Sequence, residues 1–159
     1  MKQVCYRDGL VTFEIPDNWI EDTEDETAGM FYEDVAEAGI LQLSITTATN
    51  PNPVTTELLT AMLDSLTKSK TKALEILPNG NVALSYITPN REGEQLRVIF
   101  FWIIGNPVPP NQARIATFSY TTLAANAVGF STQRTVAFLD KSIRNAVFSP
   151  QAAASLSEL

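Results

Sequence analysis

Along "LVTFEI" apolar and polar side chains alternate, with Val11, Phe13 and Ile15 on one face and Thr12 and Glu14 on the other. That is the period-two pattern of a half-buried strand. Pro16, Asp17 and Asn18 end it with turn chemistry, and Trp19 follows as an isolated anchor. "MFYEDV" and "ILQLSITTA" predict two further strands joined by the acidic "EDVAEAG", with Leu41, Leu43 and Ile45 sharing a face of the second. The period then changes. Leu58, Leu59, Met62, Leu63 and Leu66 form one stripe and predict a helix from Val54 to about Lys70, with Asn52 as N-cap and Pro53 at the first helical position.

Four strands are expected next, in a consecutive antiparallel meander. "KALEIL" and "VALSYIT" flank "PNGN", whose Asn79-Gly80 pair accepts the positive φ of a tight hairpin. "PNREGE", with Arg91, Glu92 and Gly93, reads as a second turn and leads into "LRVIFFWIIG". "PVPPNQ" reads as a third and leads into "ARIATFSYTTL". A closing helix is predicted from Ser131 or Thr132, with Val136, Leu139, Ile143 and Val147 on one face. No internal linker is evident, so one domain over residues 1–149 is expected, with 150–159 as a tail that frays.

The stretch from Leu96 to Gly105 breaks the alternation. Leu96, Val98, Phe100, Trp102 and Ile104 point one way, and Arg97, Ile99, Phe101 and Ile103 the other. A strand apolar on both sides needs cover on both. Either helices lie on each face of the sheet, or helices cover one face and a partner the other. A bare face of this kind would be a sticky patch and would also pair two copies into a homodimer.

Composition narrows the function more than it names it. The chain has 159 residues and a formal net charge of −7, which disfavours phosphate backbones and anionic membranes. No apolar run approaches the length of a membrane span, and the N-terminal residues lack the greasy core of a signal peptide. A cytoplasmic protein is therefore expected, with no integral membrane association. The single cysteine, Cys5, cannot form an internal disulfide; it reads as a small buried or edge residue.

No histidine is present, which removes Ser-His-Asp and Cys-His catalysis and the commonest zinc ligand. No glycine-rich phosphate loop occurs either. Glu24, Asp25 and Glu26 lie in an acidic run without the glycine and ligand spacing of a calcium loop. They read first as a solvated surface and second as a docking surface for a basic partner. No catalytic residue, metal site or cofactor is assigned.

"LVTFEIPDNW" at the start and "TVAFLDKSIRNAVF" at the end, with a hairpin, a helix and a meander between them, resemble the PsbP-like superfamily. The DcrB-type bacterial proteins belong to it. The Pro16 to Trp19 element and the Leu139 to Ile143 pattern carry the resemblance, which covers roughly residues 8 to 149. It implies an α+β fold: an α-β-α sandwich with a central, mainly antiparallel sheet of about six or seven strands. It also implies a binding or scaffolding role without shared catalytic residues. The combined expectation is a non-catalytic protein-binding module of adaptor or chaperone type, gripping apolar segments of a secreted effector. Its partner-binding residues would be Phe101, Trp102 and Ile103, with Glu24, Asp25 and Glu26. Two alternatives stand beside it: a small-ligand-binding or carboxylate-based hydrolytic enzyme, and a toxin-neutralising immunity protein.

Overall fold

The computed structural model describes residues 1–149; the expected tail, 150–159, lies outside them. The strands are β1 (Lys2–Tyr6), β2 (Val11–Ile15), β3 (Trp19–Asp22), β4 (Gly29–Glu33), β5 (Ile40–Thr49), β6 (Ala73–Ile76), β7 (Val82–Glu92), β8 (Gln95–Val108), β9 (Gln112–Leu123) and β10 (Val147–Phe148). The helices are α1 (Thr56–Asp64), α2 (Ala124–Ala127) and α3 (Phe130–Arg144). Seven strands form one antiparallel sheet in the order β3-β4-β5-β9-β8-β7-β6, and β1-β2-β10 form a small second sheet. This is an α+β sandwich, and the meander from β6 to β9 is consecutive as expected.

The two-faced β8 has two covers. Phe100, Trp102 and Ile104 face a large core that includes Phe31, Leu43 and Phe118. That core is closed by Phe13 and Ile15 of the small sheet and by Leu139 and Ile143 of α3. Phe13 sits at its centre, edge-on to Phe31 at 5.4 Å and to Phe118 at 5.2 Å. Ile103 faces the opposite side, where Leu59 and Leu63 of α1 close a smaller core with Val82 and Leu84. Gly105 makes this approach feasible: a Cβ there would meet the Leu59 side chain at 2.7 Å.

The second cover is incomplete because α1 is short. It packs mainly against β6, β7 and β8. Beyond it the sheet carries half-buried Thr117, Ser119 and Thr121 on β9, and exposed Met30 and Ile40 on β4 and β5. Hydroxyls decorate the middle of the uncovered area, so most of it tolerates water.

Several boundaries differ from the sequence reading. The helix cap is Thr55, whose Oγ1 accepts from Leu58 N at 3.1 Å, and Pro53 precedes the helix. Asn52 is not the cap; its N–H bonds Asn50 Oδ1 at 3.3 Å. The helix stops at Asp64, which leaves Leu66 exposed just before "TKSKTK", a stretch poor in strong helix formers apart from lysine. Trp19 opens β3 and is buried, stacked on Tyr120 at 6.1 Å. Val147 belongs to β10 and is exposed, so it is not on the apolar face of α3. The hairpin at Gly80 forms with φ of +88°. The expected turn at "PNREGE" is narrower: Pro89 to Glu92 continue β7, and Gly93 with φ of +64° makes the bend.

Candidate functional site

That last correction creates the site. β6 pairs with β7 only from Val82 to Ser85, whereas β7 runs on to Glu92. From Tyr86 onward its outer edge has no backbone partner among the described residues. Pro89 fits such an edge, because a proline lacks the N–H that a neighbouring strand would need at that position.

Beside this edge runs a groove of about 350 Å³ between β7 and α3. Ser85 and Ile87 form one wall, Val136 and Ala137 the other, and Phe100 and Trp102 line it as well. Ile87 is 54% exposed, so its side chain is open to a ligand in the groove. One end of the groove is fixed by a polar chain. Trp102 Nε1 donates to Asp140 Oδ1 at 3.0 Å, and Arg144 Nε donates to the same oxygen at 3.0 Å. Arg144 Nη1 continues to Glu75 Oε2 at 2.7 Å. Burial works to lower the Arg144 pKa, but the bonds and charges of Asp140 and Glu75 outweigh it and hold the group above its ordinary value. The guanidinium therefore stays charged and ties α3 to the sheet edge.

The sequence-derived residues divide. Phe101 and Trp102 both line the groove, whereas Ile103 does not; the three side chains alternate across the sheet. Trp102 is buried at the groove, Ile103 is buried under α1, and Phe101 is half-buried, stacked on Tyr86 at 4.8 Å. Glu24, Asp25 and Glu26 are exposed in the β3–β4 connection. Four strand spacings, roughly 19 Å, separate β3 from β8, so this acidic loop and the groove are distinct surfaces. Asp25 accepts from Thr27 N at 2.8 Å and from Thr27 Oγ1 at 2.7 Å. The backbone bond first and the hydroxyl second hold its pKa below the ordinary value. The Arg7 guanidinium bonds the Glu26 carbonyl. Among the described residues no cluster of acids, histidines or cysteines could hold a metal ion, and no helix is long and apolar enough to cross a membrane.

Sequence reasoning missed Ile87, Val136 and Ala137 as groove walls. The sequence carries little of their signal: Ile87 precedes "PNREGE", which has turn chemistry, and the unequal lengths of β6 and β7 appear only after pairing.

The fold is that of an α+β sandwich already present among solved structures. LpqN of Mycobacterium tuberculosis, involved in cell envelope biogenesis, superposes with a TM-score of 0.64 at 14% identity, covering 94% of this chain and 90% of its own. A protein of Bacteroides thetaiotaomicron superposes with a TM-score of 0.63 at 17% identity over 93% of this chain. The match covers 48% of that protein, so this chain spans about half its length. At such identities the likeness is one of fold. No family model matches the chain, and no curated protein matches it in sequence.

Proposed function

We propose that the protein is a non-catalytic binding module that captures an extended apolar segment of another protein by strand addition to β7. The observation that carries this is the free edge of β7 lying against an apolar groove. Backbone pairing along an edge supplies affinity, and alternate side chains entering a neighbouring groove supply selectivity. An adaptor or chaperone role follows, in keeping with the resemblance to PsbP-like and DcrB-type proteins. Among the described residues the only acid lining the groove, Asp140, is engaged by Trp102 and Arg144, which argues for binding over carboxylate chemistry there. A cytoplasmic location goes with this role, and the single cysteine, which has no partner in the chain for an internal disulfide, is compatible with it.

Peptide display tests it. Selection from a random library should enrich segments with apolar residues at alternate positions. Bound peptide should slow amide exchange at those alternate residues between Tyr86 and Glu92 whose N–H points away from β8, Pro89 having none to offer. Ile87→Asp, on an exposed side chain, should abolish enrichment while leaving the circular dichroism unchanged. Enriched peptides that leave those amides unprotected, or no enrichment at all, would overturn the proposal.

A further inference from the structure

A second cavity, of about 360 Å³, lies between the β4–β5 connection and the start of α3. Its size is at the lower end of small-molecule pockets. Three features of its lining bear on what it could hold.

The first is a helix start without a cap. Gly129 is the N-cap of the fifteen-residue α3, and among the described residues no side chain caps its first turn. Gln133 N closes the first intrahelical bond to Gly129 O at 3.0 Å. The N–H groups of Phe130, Ser131 and Thr132 therefore have no intrahelical acceptor, and the positive end of the helix dipole adds to them.

The second feature is independent of the helix. Tyr120 and Thr122 are 6% and 5% exposed, line the cavity, and make no side-chain hydrogen bond to another described residue. Neither hydroxyl oxygen is among the fully enclosed unpartnered atoms, so each is left accessible to a ligand. Tyr120 reaches the cavity beside Gly39, where any side chain would collide with the phenol oxygen. Burial first, and the charge of Glu33 second, push the Tyr120 pKa up, so the group remains a donor at neutral pH.

The third feature is negative charge. Glu33 and Glu37 line the same cavity, and no basic side chain does. Glu33 Oε1 accepts from Asn18 Nδ2 at 3.1 Å, which leaves Oε2 for another donor. A simple anion would meet two carboxylates on a chain of net charge −7. A simple cation would leave the helix start and the hydroxyl donors unused. A molecule with both signs at close range satisfies the whole lining.

We propose that this cavity binds a free α-amino acid. Its carboxylate accepts from the first turn of α3 and the Tyr120 hydroxyl, and its ammonium group donates to Glu33. The site is separate from the β7 groove and does not depend on the reading given for it.

Calorimetric titration of the full chain with each of the common L-amino acids tests this. For the tightest binder, the methyl ester and the N-acetyl derivative serve as probes lacking one charge. At least one amino acid should bind with Kd below about 1 mM, close to −4 kcal/mol. Each derivative should bind at least about tenfold more weakly, as should Glu33→Gln and Tyr120→Phe, the scale of a lost charge-assisted hydrogen bond. Glu33 is half-buried, so its variant retains the fold if the phenol variant does not. Binding of no amino acid, equal binding by Glu33→Gln, or preference for inorganic phosphate or glucose would overturn the assignment.

Discussion

The two faces of the seven-stranded sheet are built from the same strands and closed by different means. One is sealed by α3 together with a three-stranded sheet, and its core runs from Trp19 across to Trp102. The other is covered at one end by the nine residues of α1, over a core of six buried side chains. The first cover is tied by side chain as well as by packing: Ser142 Oγ accepts from Glu14 N at 2.9 Å and donates to Glu14 O at 2.7 Å. The lesson is that a strand apolar on both sides reports cover on both sides, and says nothing about how strong each cover is.

The largest test of this difference is Phe13→Ala. It removes a ring held edge-on by two others at the centre of the larger core and should cost about 3–5 kcal/mol in chemical denaturation. Leu63→Ala, in the smaller core, should cost about 2–3 kcal/mol. Native-state hydrogen exchange should show α1 opening before the rest of the molecule unfolds. If Leu63→Ala costs as much as Phe13→Ala and α1 exchanges only with global unfolding, the two faces are equivalent and the comparison fails.

Outside both cores, the acidic loop should respond to pH on its own. The carboxyl of Asp25 is held below its ordinary pKa by Thr27. A depressed carboxyl gives its stabilisation in full above the unfolded value and loses it as pH falls through the lowered one. NMR titration should place Asp25 below an ordinary aspartate, and Thr27→Val should return part of that shift by removing the hydroxyl bond. Chemical shifts of core residues should stay unchanged through the transition.

How much of this was legible in the sequence varies with the kind of signal. The strands of the larger core were readable because Val11, Phe13 and Ile15 alternate, as do Leu41, Leu43 and Ile45, each set having one face to bury. The meander was readable from its turns. β1 was missed, although Val4 and Tyr6 point inward from it and Cys5 is exposed on it, because two apolar anchors in five residues form a weak pattern. α1 was overextended because Leu66 continues the stripe by spacing, whereas the helix ends at Asp64 with Ser65 as its C-cap. The candidate site was the least legible. Phe101, Trp102 and Ile103 were grouped by adjacency, but a strand separates adjacent residues. A groove depends on which strand ends early beside which helix, and that relation is not local.

The pairing of β10 with β2 also bears on the order in which the molecule can be made. Val147 and Phe148 pair with Thr12 and Val11, and Ser149 N bonds Leu10 O at 3.1 Å. All seven strands of the large sheet are complete in sequence by Leu123, before any residue of α3 has been synthesised. On the ribosome there is therefore an interval in which the sheet has its strands but its most apolar face lacks α3. A nascent chain in that interval exposes apolar surface open to off-pathway association.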